Sequence, residues 1–238
     1  MARLIAALIR HGEYHQPENV PSAHLPYPLT KKGRDQARMV ADDIRAFASG
    51  HDFTVAPTID CSSLLRGWET ASVMADALNE DNDDASFHTD QFNALAERSL
   101  GSAANLRMDQ IEANLARDPR VAALPVGWKS QSGFRLAALG AETLIEAGQR
   151  VARHILASLG RLKDSITEDT LKLFVGHGAA FRHAALDFGI LKPAIIPALS
   201  MYHARPVYLE WTADGRWAHI GGDWKQRHKT PLLDPDMD

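Results

Sequence analysis

One cysteine, Cys61, stands in a chain of 238 residues, so no internal disulfide can form, and no Cys/His spacing matches a zinc site. That usage predicts a reducing compartment, the cytoplasm. Long apolar runs are missing as well. The N-terminal stretch "LIAALI" is too short for a signal-peptide core, ends in Arg10 and has no small-residue cleavage pattern behind it. It reads as a first β-strand and gives no reason to expect a membrane partner. Nor is there an excess of basic charge: 26 Lys and Arg against 30 Asp and Glu leave a formal net charge of −4. A general nucleic-acid or anionic-membrane surface is thereby excluded, and any anion site must be local.

What is present is ordinary globular material, 45% hydrophobic and 24% charged, enough for one sizeable core and a single domain over residues 1–238. Strand and helix signals alternate. After Leu4–Ile9 comes the Pro-rich loop "QPENVPSAHLPYP", then Thr30 as a helix N-cap and an apolar face of Ala37, Val40, Ala41, Ile44 and Phe47, with Gly50 as the stop. "TIDCSS" reads as a strand, "LLRGWETASVMADAL" as a helix, and the acidic "NEDNDD" as a solvated turn. A helix is expected from about Glu142 to Leu159, ended by Gly160, followed by the strand "TLKLFV" and a turn into the helix "GHGAAFRHAALDFG". "PVYLEW", "TADG" and "RWAHIG" predict a hairpin, and "KQRHKTPLLDPDMD" a loose tail. This order predicts a three-layer α/β/α sandwich with a mostly parallel sheet, an antiparallel edge strand and an inserted helical and loop roof over residues 97–140, the last carrying one helix, "MDQIEANLARD". The edge strand offers a surface for a homodimer.

In such sheets ligands bind beyond the carboxyl ends of the strands. Arg10 and His11 follow the first strand, Gly176 and His177 the strand "LKLFV", and Ser62 to Arg66 the strand "TIDC". Two histidines and two arginines converging at one edge, beside glycines that let backbone N–H groups approach, suit a phosphoryl dianion. Neutral imidazole is a competent nucleophile toward phosphorus, and the arginines depress the pKa of His11 and keep it neutral. Taken singly, each residue has a plainer reading: "RHG" as a surface turn, His177 as a hydrogen-bonded turn histidine, Arg66 as a helix-start arginine, Glu97 as a solvated carboxylate. Their joint placement argues for a site.

The same stretches resemble the histidine phosphatase superfamily in its phosphoglycerate mutase-like branch. "LIRHGE" is similar to the family's nucleophile motif, "PLTKKGRDQA" to the stretch that follows, "SSLLRGWETA" to the second-arginine motif, "ALAERSLG" to the acid-bearing loop, "GAETLIEAGQRV" to the long helix and "LFVGHGAAFRH" to the second-histidine motif. "RHG" lacks the RxP continuation of the acid-phosphatase branch, and Gly178 stands where that branch has aspartate. The resemblance implies His11 as the phosphate acceptor, Arg10, Arg66 and His177 as holders of the phosphoryl oxygens, and Glu97 as proton donor. It implies a metal-independent phosphatase without cofactor, acting on a small phosphomonoester. Tyr14 stands where many relatives have serine or threonine, and Asn19 is the nearest counterpart of a displaced asparagine; with Arg98 and His183 these are the candidate substrate contacts. Ser62 reads as a cap for the helix after it. Trp68, Trp128 and Phe134 are candidates to stack on a substrate ring, with core packing the commoner role of such residues. Two other functions fit the pattern less well. A 2,3-bisphosphoglycerate-dependent phosphoglycerate mutase would need a clamp for a second anion, and the roof's basic residues, Arg107, Arg117, Arg120, Lys129 and Arg135, are scattered in sequence. A non-enzymatic binding module would be expected to lack the nucleophile or the acid.

Overall fold

The computed structural model describes residues 2–80, 86–125 and 127–227. Strand β1 (Leu4–Arg10) is followed by α1 (Lys31–His51), β2 (Thr54–Val55), β3 (Thr58–Ser62), α2 (Leu65–Asn79), β4 (His88–Phe92) and α3 (Met108–Ala116). Then come α4 (Leu144–Lys163), β5 (Thr170–Gly176), α5 (Gly178–Asp187), β6 (Leu199–Ser200), β7 (Pro206–Trp211), β8 (Trp217–Gly221) and β9 (Lys225–Gln226). The main sheet runs β4-β3-β5-β1-β7-β8, with β2 also on β5. Parallel pairing joins β1, β2, β3, β4 and β5, whereas β7 is antiparallel to both β1 and β8, so the expected mostly parallel sheet with an antiparallel edge is found.

The apolar run of β1 is continuous because both of its faces are covered. Ile5, Ala7 and Ile9 join one core with Val40 and Ile44 of α1 and Met74 of α2. Leu4, Ala6 and Leu8 face the other way, into a second core with Val151 and Ile155 of α4 and Phe181 of α5. A third, smaller cluster lies in the roof, where Leu100, Ile111, Leu115, Trp128 and Leu136 pack with Ala23 of the Pro-rich loop. Roof and loop are therefore packed against each other. Trp68 packs against the first core and Trp128 lies 5.9 Å from Phe134 within the third, so these aromatics are core residues.

Several boundaries differ from expectation. Helix α1 passes through Gly50 and stops at Asp52, whose φ of 58° lets its N–H bond the carbonyls of Ala48 and Ser49. A short polar side chain tolerates that left-handed conformation better than most. Helix α4 begins after Thr143, which forms a capping box with Glu146, and runs past Gly160 to Lys163. Its last turn carries Arg161 and Lys163, cations that favour a helix C-terminus. The segment expected as a loose tail is ordered at its start: Lys225 and Gln226 pair with β6, and Arg227 N–H bonds Ala198 O at 2.8 Å. Residues 228–238, and positions 81–84 of the acidic turn, lie outside the described residues. No helix among the described residues is long and apolar enough to cross a membrane.

Candidate active site

The register Arg10↔Gly176 and Cys61↔Val175 brings the ends of β1, β5 and β3 level. His11, His177 and Ser62 therefore emerge side by side. His11 is 2% exposed and His177 and Arg66 0%. Glycines allow the close approach: a Cβ on Gly178 would lie 3.2 Å from Arg10 Cδ, and one on Gly12 would lie 2.4 Å from Gly33 O.

Hydrogen bonds fix the form of His11. Its Nδ1 lies 2.7 Å from Gly12 O, which can only accept, so Nδ1 carries the proton. Nε2 lies 3.3 Å from Arg66 Nε, which can only donate, so Nε2 keeps its lone pair. Burial, then the charges of Arg66 and Arg10, hold its pKa well below the ordinary imidazole value. Arg66 Nη2 likewise lies 3.3 Å from His177 Nδ1, and His177 Nε2 donates to Ser62 Oγ at 2.9 Å. Ser62 Oγ also accepts Leu64 N–H at 3.2 Å, while Leu64 occupies the cap of α2. The expected capping role thus gives way to a contact that holds His177.

A cavity of about 390 Å³ opens beside His11. Arg10, His11, Glu97, Arg98 and His183 line it, but Arg66 and His177 do not. Arg66 gives Nη1 to Leu25 O at 2.9 Å and Nη2 to Ala23 O at 2.7 Å, so it ties the Pro-rich loop down beside the nucleophile. Arg10 Nη1 bonds Met201 O at 2.9 Å. Glu97 is 7% exposed and sits over the first turn of α5, accepting N–H bonds from Ala179 at 3.3 Å, Ala180 at 3.2 Å and Arg98 at 2.9 Å.

The remaining sequence candidates divide. His183 bridges the cavity wall, with Nδ1 donating to Ala179 O at 2.8 Å and Nε2 accepting from Ser132 Oγ at 3.0 Å. Tyr14 packs edge-on to His11 at 5.2 Å with the Arg66 guanidinium 4.7 Å over its ring, and its hydroxyl donates to Ser22 at 2.7 Å. It supports the nucleophile from outside the cavity. Asn19 is exposed in a turn at φ 58°, away from the cavity lining.

Other participants were not legible as site residues. Thr70 Oγ1 accepts Gly12 N–H at 3.0 Å and so holds the turn after β1. His203 lies ring to ring with His11 at 5.6 Å. Lys129, Arg182 and Arg227 join the cavity wall from the roof, α5 and the segment after β9. Arg182 alone carried a signal, being one helical turn after Gly178 on the same face. Among the described residues no group of three or more His, Cys, Asp or Glu is placed to hold a metal ion.

The profile described as "Histidine phosphatase superfamily (branch 1)" matches residues 6–220. No curated protein matches the chain. Among solved structures, a mycobacterial glucosyl-3-phosphoglycerate phosphatase superposes with a TM-score of 0.65 at 21% identity, over 92% of this chain and 96% of the other. A phosphoserine phosphatase from Entamoeba histolytica, in complex with 3-phosphoglyceric acid, gives 0.62 at 16% identity over 96% and 98%. At these identities the likeness is one of fold.

Proposed function

The chain belongs to the histidine phosphatase superfamily (branch 1), and from that footing we propose that it is a phosphomonoester hydrolase using a phosphohistidine at His11. The observation that carries the reading is the buried His11 ring, with Nδ1–H on Gly12 O and the lone pair of Nε2 on the side of Arg66. Nε2 attacks phosphorus, the ester P–O bond breaks, and Glu97 gives a proton to the departing alkoxide. Water then attacks the phosphohistidine, Glu97 takes its proton, and phosphate leaves with His11 restored. As Nε2 bonds to phosphorus, Arg66 releases it and its guanidinium is left beside the phosphoryl oxygens, with Arg10 on the cavity side.

No metal enters this scheme. Guanidinium groups neutralise the phosphoryl charge, and five basic side chains against one carboxylate in the cavity wall would repel a cation. A cytoplasmic location belongs to the same reading and rests on the lone, buried Cys61, whose thiol burial pushes up to about 12. A phosphoglycerate mutase is the second reading, favoured by the loop from Glu97 to Leu106, which carries Glu97, Arg98 and Leu100 to the cavity.

The test is phosphate release from p-nitrophenyl phosphate in excess chelator by wild type and His11→Ala. Release by wild type and its loss in the variant are expected. Dependence on an added metal ion would overturn the metal-free scheme, and phosphoryl return to substrate without net release would favour the mutase.

A further inference from the structure

Glu97 has to hold its carboxyl over one oxygen of the substrate, yet it stands outside the sheet. The ladder of β4 ends at Phe92, opposite Ser62, and one short turn, Asn93–Leu95, lies between it and Glu97. Backbone carbonyls of such a segment need donors from elsewhere.

Arg150 of α4 supplies them. Its Nη1 donates to Asn93 O at 3.2 Å, Ala94 O at 2.9 Å and Ala96 O at 3.1 Å, and its Nη2 to Glu97 O at 3.4 Å. Only a planar fork of donors can serve so many acceptors at once. Glu142 balances the charge, taking Nε at 2.9 Å and Nη2 at 2.8 Å. The same carboxylate accepts Ser99 N–H at 3.0 Å, and Glu142 N–H returns to Ser99 O at 2.9 Å. One ion pair therefore grips the chain on both sides of Glu97, by its cation before and by its anion after.

The pair is no ordinary surface bridge. Its side chains are only 22% and 24% exposed, the fork is bidentate, and Val151 and Ile155 fix α4 in the second core. His24 of the Pro-rich loop adds an Nε2–H bond to Glu97 O at 3.0 Å. Arg150 and Glu142 are both absent from the cavity lining, so any effect they have on the reaction passes through the loop they hold.

We infer that Arg150, braced by Glu142, is the positioning residue for the proton donor: it sets the backbone from which the Glu97 carboxyl reaches the leaving-group oxygen. The inference deepens the phosphatase reading and rests on it for the role of Glu97. A small misplacement of a general acid is felt only when the leaving group needs its proton.

The test compares kcat/KM for phenyl phosphate, whose leaving phenolate is strongly basic, with that for p-nitrophenyl phosphate. Wild type, Arg150→Met, Glu97→Gln and the double variant are measured, each first shown to be folded by circular dichroism. A loss in Arg150→Met about fivefold or more greater on phenyl phosphate is expected, with less than about twofold further selectivity when the substitution is added to Glu97→Gln. Should Arg150→Met not fold, Arg150→Lys, which keeps the charge and stem but has one nitrogen in place of the fork, is judged by the same limits. A loss that falls short of that selectivity overturns the inference, as does one that persists at about twofold or more without the Glu97 carboxylate. Wild type that releases phosphate from neither ester would sink the phosphatase reading and this inference with it, whereas an active wild type beside unselective variants sinks the inference alone.

Discussion

Arg66 Nε lies 3.3 Å from His11 Nε2, and both side chains are buried in the same wall. The guanidinium keeps the imidazole neutral while the phosphate ester approaches. Arg66→Ala removes a positive charge from beside Nε2, which raises the pKa of His11 and shifts the acid limb of kcat/KM to higher pH. A loss of about 10²- to 10³-fold in kcat/KM is expected as well. A pH–rate profile of the variant with p-nitrophenyl phosphate checks both effects, and an acid limb that stays in place would separate Arg66 from the control of His11.

Glu97 over the first turn of α5 is the proton donor in this account. An alkoxide needs that proton and p-nitrophenolate hardly does. Glu97→Gln should therefore cost about 10²-fold or more on an alkyl phosphate and much less on p-nitrophenyl phosphate. Equal losses on the two substrates would assign Glu97 a structural role.

Much of this site was legible in the chain because strand ends are fixed by simple patterns. Leu4–Ile9 is a buried strand on both faces, so its apolar run is unbroken and Arg10 and His11 must follow at its end. Gly176 and His177 follow β5 for the same reason. What the pattern hid has physical causes too. His88–Phe92 is a polar edge strand without alternation, and the placing of Lys129 in the same cavity wall as Arg98 depends on an irregular roof whose conformation no periodicity encodes. Arg66 also holds the carbonyls of Ala23 and Leu25, a backbone contact that side-chain chemistry alone does not announce.

Helices α4 and α5 meet where Gly148 faces His183. A Cβ there would lie 2.4 Å from His183 Cβ and 2.5 Å from its backbone carbon. Gly148→Ala forces α5 away from α4 and should destabilise the fold by roughly 1–3 kcal/mol. Denaturant unfolding measures the loss, and a midpoint equal to wild type would show that the interface yields freely.

Acid lability follows from the buried histidines. Burial depresses the pKa of His11, His177 and His183, and that of His203 to about 4. Below the unfolded value near 6.5 the unfolded chain binds protons that the folded one refuses, so stability falls as pH falls. Its full value is present above about pH 6.5. Replacing His203, whose buried Nε2 has no partner, by Phe should flatten the fall in Tm between about pH 6.5 and pH 4.5. An unchanged slope would remove His203 from the acid response.

The central claim is that His11 Nε2 carries the phosphoryl group. Rapid acid-free quenching of wild type with a radiolabelled phosphomonoester, followed by acid and alkali treatment, measures this most directly. A label that is stable in alkali, lost in acid, located on His11 and absent from His11→Ala is the predicted result. An acid-stable label, a label on another residue, or the same label in His11→Ala would contradict the account.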